Sequence, residues 1–169
     1  MADDDAVLFF DTVTLSNFAL AGHLDLLIAR YGVRACVTLE VLDEVTDGIV
    51  AGFAALADIE AAVSETRLGS ARTLTDDERE QYRELLRILG PGEASCIACA
   101  EARGGVVVTD DRTARSCCAE RGLSCTGTVG ILKACAVDGT LSPDEADAAL
   151  QAMIDAGYYS PVTAISGLL

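Results

Sequence analysis

Gly92–Arg115, GEASCIACAEARGGVVVTDDRTAR, is the stretch whose reading decides the fold. A glutamate opens an alanine-rich run that favours helix, and Gly104-Gly105 ends it. Val106–Thr109 is the most β-branched segment of the chain and a short continuous apolar run, the mark of a strand buried on both faces. Two aspartates follow, then a polar run. The order predicts a helix over 93–103, a strand over 106–109 and a helix over 112–120.

Outward from this stretch the same alternation continues. Strands are predicted at Ala6–Phe10, Arg34–Thr38 and Leu123–Thr126, with a short one inside a loop at Thr66–Leu74. Helices are predicted at 15–31 with a break near Gly22, at 39–45, at 48–65, at 129–137, and from Thr75 to about Leu89, where Thr75 and Glu78 make a capping box. A last helix starts at Ser142, with Pro143 at its first position and Glu145 completing a second box. No repeat or linker interrupts residues 1–169, which read as one domain. Strands separated by helices give an α/β fold with a mostly parallel central sheet covered on both faces.

In such sheets function gathers at the carboxyl ends of the strands. The first strand ends in Asp11 and the Val106–Thr109 strand in Asp110-Asp111; Glu44 rides the helix after the second strand, and Glu93 opens the helix after Gly92. Each acid has a plainer reading. Asp11 and one of Asp110 and Asp111 suit helix caps, Glu93 suits any helix N-terminus, and Glu44 suits an exposed helical face. Together, acids with no basic neighbour in sequence call for a hard divalent cation, magnesium or manganese, of the kind that activates water against a phosphodiester. Asp3–Asp5, Asp43, Asp76, Asp77 and Asp144 read as solvated or capping acids.

Composition narrows the classes further. The 169 residues (17.6 kDa) are 51% apolar, which excludes disorder, and 27 acids against 12 bases leave a net charge of −15, unlike a basic nucleic-acid binder. Lys133 is the single lysine; abundant acid and alanine suit a chain adapted to strong salt, a halophilic composition. The N-terminus MADDDAVLFF is acidic where an export signal would be basic, and no stretch suits a membrane span, so a cytoplasmic location is expected. The seven cysteines then read as free thiols. Cys96 and Cys99 share one helical face and suit core packing better than zinc. His23, the one histidine, reads as a surface or packing residue. FFDTVT lacks the second acid of a D-x-D-x-T phosphotransfer motif, because Val13 stands there. Arg30, Arg34, Arg112, Arg115 and Arg121 are candidate phosphate contacts or surface ion-pair partners.

Four segments carry a family resemblance. LFFDTVTLSNFALAGHLDLL (8–27) resembles the opening of a PIN domain, VTLEVLDEV (37–45) its second acidic motif, and the 92–115 stretch its third and fourth. GTVGILKACAVDGTLSPDEADAALQAMIDAGYY (127–159) resembles the C-terminal part of a PIN subgroup near the VapC-type toxins. The resemblance implies a three-layer α/β/α sandwich and a magnesium- or manganese-dependent endoribonuclease acting on single-stranded RNA, the toxin of a toxin–antitoxin pair, with an antitoxin as protein partner. By position it gives metal or catalytic roles to Asp11, Glu44, Glu93 and Asp110/Asp111, with the choice within the last pair open. Thr12, Thr14, Asn17 and Thr109 become site-lining groups, and Arg112 and Arg115 the nearest RNA contacts. The competing reading is a catalytically weak PIN-like module that binds RNA or a protein. Apolar helices around Gly48–Ala62 and Ala146–Ala156 suggest a homodimer.

Overall fold

The computed structural model describes residues 5–71 and 73–169. Asp3 and Asp4, read above as solvated acids, lie outside them. Five strands form one all-parallel sheet in the order β3-β2-β1-β4-β5. They are β1 (Leu8–Phe10), β2 (Ala35–Thr38), β3 (Gly69–Ala71), β4 (Val106–Val108) and β5 (Ser124–Thr126). Nine α-helices are described: α1 (Thr12–Leu20), α2 (Leu24–Tyr31), α3 (Leu39–Val50), α4 (Ala57–Ser64), α5 (Asp76–Leu85), α6 (Pro91–Arg103), α7 (Arg112–Glu120), α8 (Thr128–Val137) and α9 (Pro143–Asp155).

Register sorts the two faces of the sheet. Leu8, Val106 and Ser124 stand level, and Phe9, Val107 and Cys125 point the other way, because side chains alternate along a strand. On the first face, Tyr31 of α2 lies 6.2 Å from Phe10, ring centre to ring centre, and α8 passes over Thr126. On the second, α6 lays Cys96 and Cys99 against the strands; Cys96 donates its S–H to the Phe10 carbonyl at 3.4 Å. Both thiols are fully buried, and burial pushes them up in pKa, Cys99 to about 12. They pack as core, and no group of three or more His, Cys, Asp or Glu able to hold a metal occurs among the described residues. The three layers are therefore helices, sheet, helices.

Both capping boxes form, at Thr75/Glu78 and Ser142/Glu145. The long helix predicted at 15–31 is two, separated at Ala21–His23, where Gly22 takes φ +76°. One boundary moves. The break predicted between 45 and 48 lies at Ala51–Phe53, and α3 runs unbroken through Gly48. Gly48 is there for packing, since a Cβ would meet the Leu56 side chain at 2.6 Å, while Gly52 at φ +111° makes the turn. His23 stands at the start of α2 without a capping bond. No single helix among the described residues is long and apolar enough to cross a membrane.

Candidate functional site

The strand order reverses between β1 and β4. From β1 the chain steps outward to β2 and β3, then returns beside β1 with β4 and continues to β5. A crevice opens outside the carboxyl ends of the strands at such a switch point. Asp11 and Thr109, the first residues past β1 and β4, face each other across it. Asp11 N–H donates to the Val108 carbonyl at 3.0 Å, and Thr109 Oγ1 donates to Asp11 Oδ2 at 2.5 Å.

Asp11 is 2% exposed and caps α1 by accepting from Thr14 N at 2.7 Å. Burial pushes its carboxyl up to about 6 against the pull of the Thr109 and Thr14 hydrogen bonds, and the nearby Asp110 charge adds to the rise. The capping and site readings of this residue thus coexist in one side chain.

Glu44 reaches the same edge from α3, whose start is fixed by Thr38: its hydroxyl accepts from Val41 N and shares a 2.7 Å hydrogen bond with Ser95 of α6. Glu44 Oε2 accepts from Thr12 Oγ1 at 2.6 Å, and Oε1 from Gly92 N at 2.7 Å. The carboxylate so bridges the N-termini of α1 and α6, where the helix dipoles favour negative charge. Gly92 must be glycine for this approach, because a Cβ would meet Glu44 Oε2 at 2.8 Å. Glu93, one residue on, folds back and accepts from Gly90 N at 3.0 Å. Burial raises its pKa, with the charges of Glu44 and Asp111 adding.

The two aspartates of the pair separate. Asp111 turns outward and caps α7, accepting from Ala114 N at 2.8 Å, while its own N–H donates to Thr109 Oγ1 at 3.1 Å. Asp110 turns to the N-terminus of α8: Oδ1 accepts from Thr128 N at 3.0 Å and Oδ2 from Thr128 Oγ1 at 2.5 Å, with Asn17 Nδ2 at 3.5 Å. Asn17 also donates to Thr128 Oγ1 at 3.1 Å. Gly127 admits this contact, since a Cβ there would stand 2.2 Å from Asp110 Oδ1. The Tyr158 phenol hydrogen-bonds in the same group, and burial together with the Asp110 charge pushes it up to about 12.

The five acids therefore share one edge, but each is held by a donor of its own. Thr12, Thr14, Asn17 and Thr109 stand along that edge, each in a hydrogen bond to or beside one of the acids. The arginines divide. Arg115 donates to the Thr109 carbonyl at 3.0 Å, and Arg112 is exposed on the first turn of α7. Arg121 pairs with Glu101 at 2.5 Å. Arg30 and Arg34 lie beside the amino ends of the strands, away from the acids. Sequence reasoning missed Gly127, Thr128 and Tyr158; the Gly-Thr dipeptide opening an apolar helix is the one local signal for the first two.

As arranged, the acids are spread along the edge, each on donors of its own. Both oxygens of Asp11, Glu44 and Asp110 are engaged by hydroxyls or backbone N–H groups, Asp111 and Glu93 are engaged in their own helix starts, and no three acids gather closely enough to hold a metal ion among the described residues. Chemically, the edge is an acidic surface whose carboxylates each accept local hydrogen bonds and keep further lone pairs open.

The comparisons with known proteins agree with the fold. No curated protein and no solved structure gives a significant match. A family model described as a PIN domain, DUF3368, matches residues 7–169, nearly the whole chain, and the chain belongs to that PIN-domain family.

Proposed function

We propose that this PIN domain acts as a binding module with weak or no hydrolytic activity, and that its acidic carboxyl edge engages a basic segment of a protein partner. One observation carries the reading: the acids are held apart by donors of their own. The charge supports a protein partner over RNA. With 27 acids against 12 bases, and Arg112 and Arg115 the site arginines near the edge among the described residues, phosphates meet net repulsion there. An antitoxin is the form of partner that the resemblance to VapC-type toxins supplies.

A second reading is a magnesium- or manganese-dependent endoribonuclease acting on single-stranded RNA. The burial of Asp11, with Asp110 nearby, favours it, since a carboxyl raised by burial to about 6 beside a second acid is a site that a cation can relieve. Under either reading, a homodimer would use Val50 and Phe53, exposed beside the turn after α3; α9 buries Ala146, Ala149, Leu150 and Met153 in its own core.

A quenched single-stranded RNA oligomer with magnesium or manganese separates the readings. The binding reading expects turnover by the wild type no faster than by Asp11→Asn. It also expects an arginine-rich peptide to bind more weakly once Glu44 and Glu93 are both changed to Gln. Wild-type cleavage that is lost in Asp11→Asn and in chelator would establish the ribonuclease instead.

A further inference from the structure

The end of the sheet opposite the acids carries a different chemistry. An open cavity of about 680 Å³ lies between α2 and α8, against the amino ends of β1 and β4 and along the whole of β5 to Thr126. That volume is in the range of small-molecule sites. Leu8 and Val106 form an apolar floor, and Ile131 and Ala134 of α8 form one wall. Ser124, level with Leu8 and Val106 on the same face, adds a hydroxyl.

The opposite wall is cationic. Arg30 and Arg34 flank Tyr31, with guanidinium carbons 5.3 and 5.7 Å from the ring centroid, so one aromatic side chain braces both charges. Arg30 is further fixed by Asp138 and donates to the Tyr31 hydroxyl at 3.0 Å. Arg34 is tethered through the Ala6 carbonyl at 3.3 Å and has no carboxylate within ion-pair distance among the described residues. The charged side chains lining the cavity are Arg30, Arg34 and Asp138, a net single positive charge. In a chain of net charge −15, with acids more than twice as numerous as bases, an arginine braced on an aromatic ring beside an apolar-floored cavity, with no carboxylate within ion-pair distance among the described residues, stands out.

We propose that this cavity is a second site, binding a small organic monoanion whose apolar body rests on Leu8, Val106 and Ile131 and whose carboxylate or sulfonate pairs with Arg34. Guanidinium groups bind such planar anions through paired hydrogen bonds, and partial burial strengthens the contact. The inference is independent of what the acidic edge does.

The test uses three probes on the full chain. These are 8-anilinonaphthalene-1-sulfonate as an apolar anion, N-phenyl-1-naphthylamine as its uncharged counterpart, and inorganic phosphate as an anion without an apolar body. Fluorescence titration is expected to give one site for the sulfonate. The uncharged probe should bind about tenfold more weakly, and phosphate should compete poorly. Two variants probe charge and space separately. Arg34→Gln removes the cation, and Ala134→Leu fills the wall without touching charge; each should weaken the sulfonate by about tenfold or more. Near-ultraviolet circular dichroism checks that both remain folded. Absence of sulfonate binding, equal binding of the uncharged probe, or binding that either folded variant leaves unchanged overturns the proposal.

Discussion

Asp11 ends a buried strand, caps a helix and faces a second acid, and these demands conflict. Its carboxyl, ordinarily near 3.8, lies at about 6 in the folded chain. The folded state therefore holds a proton that the unfolded state has released between those values. Stability contributed by this residue is full below about pH 4 and falls as pH rises toward 6, by about 3 kcal/mol in all. Asparagine keeps the cap, since Asn and Asp cap equally well, and removes the charge. Asp11→Asn is expected to flatten this pH dependence and to leave Tm at pH 7.5 equal to the wild type or up to about 5 °C higher. A Tm lower by more than that would show that the Thr109 and Thr14 donors require a charged partner. The sequence showed Asp11 as both cap and site residue, because both follow from its place after a strand. It did not show the partners of Asp110, since Thr128 and Tyr158 come to it only through the packing of α8 and α9.

At the scale of elements, the link between α5 and α6 is ionic and buried at one end. Glu78 is 1% exposed; it accepts from Arg103 Nε at 2.5 Å and Nη2 at 2.9 Å, and from Thr75 N at 2.8 Å. The Arg103 guanidinium holds its carboxyl below the usual glutamate range. Here the unfolded state binds the extra proton, so the stabilisation is present above about pH 4.5 and is lost as pH falls through the lowered value, opposite in sign to Asp11. Glu78→Gln is expected to cost about 2 kcal/mol near neutral pH and to remove this acid-side loss, as urea unfolding at pH 7 and pH 4 would show. The capping half of this arrangement was legible, because a box is local. The Arg103 half was not, since it joins residues 25 apart.

The thiols divide at the same scale. Cys125, on edge strand β5, is only half-buried, while the other six cysteines are buried. A hydrogen bond from Cys118, helped by the Arg115 charge, brings its thiol below the ordinary cysteine range. Iodoacetamide at pH 7.5 is expected to modify Cys125 well before the other six, with peptide mass mapping as the readout. Faster labelling of Cys96 or Cys99 would contradict their packing against the sheet.

Across the whole molecule, parallel strands sort charge along one axis. Residues that follow strands, Asp11, Asp110 and Asp111, gather at one edge, and a residue that precedes a strand, Arg34, stands at the other. The alternation of strands and helices made the sheet and its acidic edge readable from sequence. The same logic places Arg34, immediately before β2, away from the acids, although the arginines first read as one set. What local pattern could not reveal is that Glu44, Glu93 and Asp111 each find a backbone donor at a helix start, the observation on which the proposal of a binding module rests. A titration with manganese followed by electron paramagnetic resonance tests this claim most directly. The account predicts only weak binding, with dissociation constants of about a millimolar or above, unchanged by Asp11→Asn. A single site in the micromolar range that disappears in Asp11→Asn would contradict it.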